Sequence, residues 1–170
     1  TEWSTLSVAG DSGTITNAAG IDTKMAGIAA ASISTLLGTQ AGSATSANAY
    51  WRSGDLKLGT QPTGNAMTLL MATLQNTSGS TIDILTVAYT MGLETVTPGE
   101  HISGHRVYWN KTGAAGAWTA FGDQLLAAPG TTDVSFDLAA LSWADGELLY
   151  VVWADDNSNA GTDGDFTLDD

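Results

Sequence analysis

The feature that most constrains this chain is the alternation of apolar and smaller residues in its second half. Leu85, Val87 and Tyr89 alternate with Thr86 and Ala88. A period of two puts successive side chains on opposite faces of a β-strand, so that one face packs on a core. The chain is therefore predicted to be all-β.

Similar segments recur along the sequence. Strands are predicted at residues 3–8, 50–58, 66–74, 84–91, 106–110, 117–121, 133–138, 148–153 and 165–169. Segment 148–153 (LLYVVW) is apolar on both faces, which is typical of a central strand. The Asn-, Ser- and Gly-rich turn at 76–80 predicts a hairpin between its flanking strands. Together these patterns predict one domain over residues 1–170, an antiparallel, jelly-roll-like β-sandwich.

One segment has helical spacing. Met25, Ile28 and Ile33 recur at intervals that fit one face of a helix, which predicts at most one short helix near residues 25–37. The same segment is rich in Ala, Ser and Thr, so an irregular loop is an equal alternative.

Charge and composition exclude several classes of function. The 170 residues contain 18 Asp and Glu against five Lys and Arg, a formal net charge of -13. This charge repels phosphate backbones and anionic membranes, so we expect no nucleic-acid partner. No apolar run approaches the ~20 residues of a membrane span, so we expect no membrane insertion. A surface of Ser, Thr, Gly and Asn with few Lys, in a chain that begins at Thr1, favours a mature secreted protein or an excised domain at the cell surface.

Four segments carry a family resemblance: LQNTSGSTIDILTVAYT, RVYWNKTGAAGAWTAFGD, TTDVSFDLAAL and GELLYVVWADDNSNAGTDGDFTLDD. Their order, over about residues 45–170, resembles β-sandwich modules of secreted or surface-anchored bacterial proteins. These include proteins with PEP-CTERM-type anchoring signals and modules appended to extracellular nucleases. The resemblance implies a jelly-roll or concanavalin-like fold and no established chemistry. The sequence departs from the family at 91–94, where MGLE replaces the usual GEQWR, and at Asp170, where such modules carry the strand further.

An acidic loop near the end of the sequence is the best candidate for a metal site. Its candidate ligands are Asp155, Asp156, Asn157, Asn159, Asp163 and Asp165. Ca²⁺ takes six to eight oxygen ligands, which clustered Asp and Asn side chains supply, and its role here would be structural. The segment does not match an EF-hand loop. Counted from Asp155, its sixth position is Ala160 instead of Gly and its twelfth is Phe166 instead of Glu. A solvated turn without metal is the alternative, since turns contain the same residue types.

Aromatic and basic residues suggest a second surface. If Val107 and Trp109 face the core, then Arg106 and Tyr108 face outward, and Tyr150 does the same on its own strand. Such a strip could stack a sugar ring or contact a protein partner. Packing of these rings in the core is the alternative for each residue.

No motif supports catalysis. His101 and His105 do not lie in a zincin-like helix, and no nucleophile-elbow sequence is present. We therefore expect a non-enzymatic protein. Two hypotheses remain: a structural subunit that assembles with copies of itself or with other surface proteins through an incomplete sheet edge, or a carbohydrate-binding or adhesion module.

Overall fold

The computed structural model describes residues 2–42, 46–96, 101–157 and 163–169. The prediction of an all-β sandwich is confirmed, with one α-helix and one short 3-10 turn. The elements in order are β1 (Glu2–Val8), α1 (Ala18–Ala26), the 3-10 turn (Ala30–Ser32), β2 (Thr35–Leu36), β3 (Gly38–Gln40), β4 (Tyr50–Arg52), β5 (Lys57–Thr60), β6 (Met67–Gln75), β7 (Leu85–Leu93), β8 (Gly104–Asn110), β9 (Thr119–Leu125), β10 (Gly130–Leu138), β11 (Leu148–Asp156) and β12 (Phe166–Asp169).

The strands form two six-stranded sheets. Sheet A has the order β2-β1-β6-β11-β8-β9, and sheet B has the order β10-β7-β12-β5-β4-β3. Neighbouring strands run antiparallel, except for the parallel pair β3 and β4. The final strand, β12, therefore lies inside sheet B.

Strand β11 is buried on both faces, as its uninterrupted apolar sequence predicts. Leu149, Val151 and Trp153 belong to the core between the two sheets. Val152 and Ala154 point to the opposite face, where they join a second apolar layer. The two layers explain why no polar residue interrupts this strand between Leu148 and Trp153.

Helix α1 covers the outer face of sheet A. Its Ile21 and Met25 are buried in the second layer together with Met71 of β6. The Asn17 side chain accepts a hydrogen bond from the Gly20 N–H and caps the helix. The helix thus begins earlier than the predicted range of residues 25–37 and overlaps it only at Met25 and Ala26, because the Asn17 cap and the buried Ile21 precede that range.

The predicted hairpin between 66–74 and 84–91 is wrong. Strand β6 lies in sheet A and β7 lies in sheet B, so the turn carries the chain from one sheet to the other. The buried Asn76 side chain donates 2.8 Å hydrogen bonds to the carbonyls of Ser80 and Trp143, and Ile82 forms an isolated bridge with Trp143. These contacts with a distant segment replace the local pairing that the turn sequence suggested.

Candidate functional site

Half of β7 lacks a neighbour on one side. Strand β10 pairs with β7 along its whole length, from Leu85 to Leu93. On the other side β12 pairs only from Leu93 to Thr90, and the last pair is Asp169 with Thr90. Within the described part of the chain, Leu85–Tyr89 has no hydrogen-bonded strand on that side. We call this segment the open edge of β7.

An apolar cleft of about 450 Å³ lies behind the open edge, between the two sheets. We call it the inter-sheet cleft. Its floor on sheet A consists of Trp3, Ala72, Leu74, Val151 and Trp153. Its walls on sheet B include Trp51, Leu56, Leu58, Leu85, Val87, Tyr89 and Leu168. The missing pairing along β7 therefore leaves part of the sandwich interior accessible.

Aromatic rings meet at the centre of the cleft. The ring centroids of Trp3 and Trp153 are 5.7 Å apart, and Tyr89 meets Trp153 edge-on at 5.9 Å. These separations are typical of favourable aromatic pairs. Burial raises the pKa of Tyr89 to about 12, so its hydroxyl stays protonated at neutral pH.

Arg106 and Tyr108 lie on the outer face of sheet A, as their alternation with Val107 and Trp109 predicts. The expectation that they form a solvent-exposed strip is wrong for Tyr108, which is 2 % exposed. The covering residue is Asp22 of α1: Arg106 Nε and Nη2 donate to its two carboxylate oxygens at 2.7 and 3.0 Å, and Tyr108 Oη donates at 2.6 Å.

These contacts change the acid–base behaviour of the group. The hydrogen bonds from Arg106 are the largest cause that lowers the pKa of Asp22. Burial, followed by the hydrogen bond to Asp22, raises the pKa of Tyr108. Arg106 Nη1 also donates to Asp123 Oδ1 at 2.7 Å, so the guanidinium lies between two carboxylates. Arg106 and Tyr108 therefore attach α1 to sheet A, and Arg106 adds a side-chain contact between β8 and β9.

Tyr150 lies on the same outer face and is only partly buried. It lines a second depression of about 680 Å³, which we call the outer groove. The other lining residues include Glu2, Ser34, Leu36, Thr73 and Thr112. The groove thus combines Tyr150 with hydroxyl-bearing residues and one carboxylate, and Trp3 also lines it.

The acidic loop residues are buried and point in different directions. Asp155, Asp156, Asn157, Asp163 and Asp165 are each 0 % exposed, whereas Asn159 lies outside the described residues. Asp155 faces the sandwich interior, because it shares the face of Trp153 and lies opposite Thr68. Asp156 faces the other side, where its Oδ1 accepts from the Ile102 N–H, and burial raises its pKa to about 6.

The remaining loop residues have separate partners. Asn157 Nδ2 donates to the Asn65 carbonyl at 2.7 Å, and Gln61 Nε2 donates to the Asp163 carbonyl at 3.1 Å. Among the described residues, the buried side-chain oxygens of Asn157 and Gln61 have no hydrogen-bond partner. Over residues 2–42, 46–96, 101–157 and 163–169, no three His, Asp or Glu side chains converge as a metal-binding group.

Asp165 is part of a buried network on sheet B. Its Oδ1 accepts a 2.7 Å hydrogen bond from Tyr50 Oη, and its Oδ2 lies 3.4 Å from Arg52 Nη1. Arg52 also pairs with Asp55 at 3.1 Å and with Glu94 at 2.8 Å. This cation accounts for the burial of Asp165 without any metal ion.

The two histidines have different environments. His105 is fully buried, lies 2.8 Å from Thr60 Oγ1 through its Nε2, and contacts the Phe166 ring. Burial lowers the pKa of His105 to about 3, so it stays neutral in the folded chain. His101 is exposed. The pair is therefore not arranged as one metal site.

Comparisons with models of protein families and with curated proteins give no match to this chain. No helix within the described ranges has the length and apolar character that crossing a bilayer requires. The resemblance to secreted sandwich modules therefore stays a prediction from sequence patterns.

Sequence reasoning missed two features of these sites. No sequence pattern indicated that Asp22 binds Arg106 and Tyr108, because these partners are distant in sequence. Trp3 was assigned to a strand, but its position under the open edge follows only from the pairing of β1 with β6.

Proposed function

We propose that this chain is a non-catalytic structural subunit outside the cell, which joins copies of itself or other surface proteins through the open edge of β7. The observation that carries this proposal is the apolar inter-sheet cleft beside Leu85–Tyr89, where Trp51 and Leu56 remain 38 % and 65 % exposed. Unpaired backbone N–H and C=O groups form a template for strand addition.

The composition of the edge supports this role. Proteins usually protect exposed strand edges with charged residues, proline or bulges. The open edge, LTVAY, has no charged residue, proline or glycine. By contrast, the outer strand of the same sheet, β10, carries Asp133 and Asp137. The absence of protection favours an edge that is covered in the functional assembly.

The extracellular location and the calcium ion belong to the same proposal. The low Lys content and Ser- and Thr-rich composition support the location. The buried carboxylates of Asp155 and Asp163, together with the unpartnered oxygens of Gln61 and Asn157, support a stabilising Ca²⁺ in the acidic loop. We expect millimolar Ca²⁺ to raise the melting temperature and EDTA to reverse the increase. If Mg²⁺ raises the melting temperature equally, or if Ca²⁺ does not raise it, the proposal of a bound Ca²⁺ is contradicted.

Assembly is tested by sedimentation velocity and negative-stain microscopy over a range of protein concentrations. A matched pair of variants locates the contact: Ala88→Lys places a charge on the open edge, whereas Ser135→Lys places it on β10, directly opposite Ala88. Both positions are exposed, so both variants should fold. We expect Ala88→Lys to weaken assembly at least tenfold and Ser135→Lys to leave it unchanged. A chain that stays monomeric at all concentrations contradicts self-assembly.

The outer groove supports a second candidate function, carbohydrate binding. Tyr150 shares the lining of this groove with the hydroxyl-bearing residues Ser34, Thr73 and Thr112. A ring with neighbouring hydrogen-bonding groups is a suitable platform for a sugar. Glycan-array binding that is lost in Tyr150→Ala and retained in Ala88→Lys would support this function. An array without binding would argue against it.

A further inference from the structure

We propose that the Ca²⁺ of the acidic loop is a clamp that joins the two sheets and holds β12 in sheet B. Its protein ligands are two carboxylates and two neutral amide oxygens, from Asp155, Asp163, Gln61 and Asn157. This inference rests on the proposed Ca²⁺ and specifies its ligands and its effect on the fold.

The two amides are the observation that points to a bound cation. Gln61 is 5 % exposed and Asn157 is fully buried. Gln61 Nε2 donates to the Asp163 carbonyl at 3.1 Å, and Asn157 Nδ2 donates to the Asn65 carbonyl at 2.7 Å. Within the described ranges, neither side-chain oxygen has a hydrogen-bond partner. Buried acceptors without a donor are unfavourable, so two of them in one loop region indicate a bound group that the protein itself does not supply.

Strand register and hydrogen bonds bring Asn157 to the same end of β11 as Asp155. Asp155 lies on the inner face of sheet A, opposite Thr68. The Thr68 hydroxyl accepts a 3.2 Å hydrogen bond from the Asn65 side chain, and the Asn65 carbonyl accepts from Asn157. The carboxylate and the amide therefore lie at one end of the sandwich.

Sheet B contributes Gln61 and Asp163 at this end. One step beyond the described pairs of β11 and β8, Asp155 falls opposite His105. His105 Nε2 lies 2.8 Å from Thr60 Oγ1 of sheet B, and Gln61 directly follows Thr60. The Asp163 carbonyl accepts the Gln61 amide, which places the segment before β12 beside it. The four ligands thus come from both sides of the space between the sheets.

The ligand set favours Ca²⁺ over Mg²⁺. Ca²⁺ accepts amide oxygens together with carboxylates and tolerates irregular geometry, whereas Mg²⁺ requires near-ideal octahedral geometry and keeps several waters. The side chains of Asp155 and Asp163 are both 0 % exposed, and one divalent cation balances their two negative charges. With two carboxylates, we expect a Kd of about 10⁻⁴–10⁻³ M, the range of extracellular calcium modules.

The ion connects the entry of β12 to both sheets. Asp163 lies just before β12, which pairs with both β5 and β7. Gln61 directly follows β5 of sheet B, whereas Asn157 directly follows β11 of sheet A. Loss of the ion should therefore release β12 before the remainder of the sandwich opens.

Terbium luminescence tests the location, because Tb³⁺ replaces Ca²⁺ and is excited by nearby indoles. Trp153 lies two residues before Asp155 on the same face of β11, about 7 Å away along the strand. We expect Tb³⁺ luminescence that is excited through tryptophan. Ca²⁺ should displace Tb³⁺ at concentrations at least tenfold lower than Mg²⁺, and equal displacement by the two ions would overturn the assignment.

A matched pair of variants tests the amide ligand. Gln61→Met removes the side-chain oxygen, and Gln75→Met removes an amide that donates to the Gly146 carbonyl at the opposite end of the sandwich. We expect Gln61→Met to weaken Ca²⁺ binding at least tenfold and Gln75→Met to leave it within twofold. Equal effects of the two variants would overturn the assignment.

A third variant decides the question if Gln61→Met does not fold. Gln61→Glu keeps an oxygen at the same position and adds a negative charge. It should tighten Ca²⁺ binding and lower the melting temperature in EDTA. An unchanged or weaker affinity would show that this oxygen is not a ligand.

Hydrogen exchange of the unchanged protein tests the effect on β12. In EDTA the amides of β12 should exchange at least tenfold faster than in millimolar Ca²⁺. Those of Ile82 and Trp143, which bond to each other at the opposite end, should change by less than twofold. Uniform acceleration, or none in β12, overturns the clamp even if Ca²⁺ binds and raises the melting temperature. No binding of Ca²⁺ at millimolar concentration overturns both the clamp and the proposed Ca²⁺, whereas sedimentation tests self-assembly separately.

Discussion

Tyr50 and Asp165, which are 115 residues apart in sequence, are joined by a buried 2.7 Å hydrogen bond from the phenol to the carboxylate. The ring of Tyr50 lies against Gly59, where an added Cβ would approach its Cζ to 2.6 Å. Only glycine fits beneath the ring. The contact therefore requires three segments at once: β4 with Tyr50, β5 with Gly59, and the segment before β12 with Asp165.

Tyr50→Phe should destabilise the fold by about 1–3 kcal/mol, because Asp165 Oδ1 then loses a buried donor. The measurement is urea unfolding, with the slope expected to stay unchanged. Tyr150→Phe, at a partly exposed position, is the control and should change the free energy of unfolding by less than about 0.5 kcal/mol. Equal effects of the two variants would show that the hydrogen bond adds no stability.

Asp22→Asn should loosen α1 without unfolding the sandwich. The substitution removes the carboxylate charge of Asp22, to which Arg106 and Tyr108 both donate hydrogen bonds. Ile21 and Met25 stay buried. Because the Asp22 side chain is 44 % exposed, solvent screening limits the expected loss to about 1 kcal/mol. Hydrogen exchange should accelerate in α1 and stay unchanged in β11, and the exposed Asp11→Asn should have no effect. Uniform acceleration would contradict a local anchoring role.

His105 should make stability dependent on pH in the acidic range. Its pKa is about 3 in the folded chain and 6.5 when unperturbed, so below pH 6.5 the unfolded state binds a proton that the folded state does not. Stability from this group is fully present above pH 6.5 and is lost as pH falls towards 3, by up to about 1.4 kcal/mol per pH unit. Urea unfolding of His105→Gln should lack this slope, and His101→Gln should retain it. Parallel profiles for the two variants would contradict the assignment.

Asp156→Asn should stabilise the chain above pH 6 in the presence of EDTA. Burial raises the folded-state pKa of this carboxyl from 3.8 to about 6, so ionisation costs stability as pH rises through that window. The amide can still accept from the Ile102 N–H without a charge, and we expect a gain of about 3 kcal/mol at pH 7. Asp83→Asn, at an exposed position, is the control. A variant that is less stable than the unchanged protein only in calcium buffer would instead identify Asp156 as a metal ligand.

Local patterns predicted the strands well where one face of the strand meets a single core. Val134, Phe136 and Leu138 alternate with polar residues because β10 packs one face against the interior. The continuous apolar run LLYVVW likewise predicted β11 as a central strand. In both cases the information lies within the segment itself, since its pattern of apolar residues reports burial directly.

Features that depend on distant contacts were not predictable in this way. The hairpin prediction failed because the Asn76 side chain donates a hydrogen bond to the carbonyl of Trp143, which lies far along the chain. The exposure of Tyr108 was misjudged because Asp22 covers it from a helix 86 residues earlier. The described pairing of β12 with β7 ends at Thr90, and no property of LTVAY alone shows that β12 is its neighbour. These features follow from topology rather than from local propensity.

The position of β12 determines when the molecule can finish folding during its synthesis. Strands β5 and β7 have no direct pairing with each other, and Phe166–Asp169 joins them. Leu58 pairs with Leu168, so its side of sheet B is complete only after Leu168 has been synthesised. Sheet B stays incomplete until Phe166–Asp169 pairs with both of these strands. Such non-local pairings form slowly, because the entropy of loop closure has to be offset before the new contacts contribute.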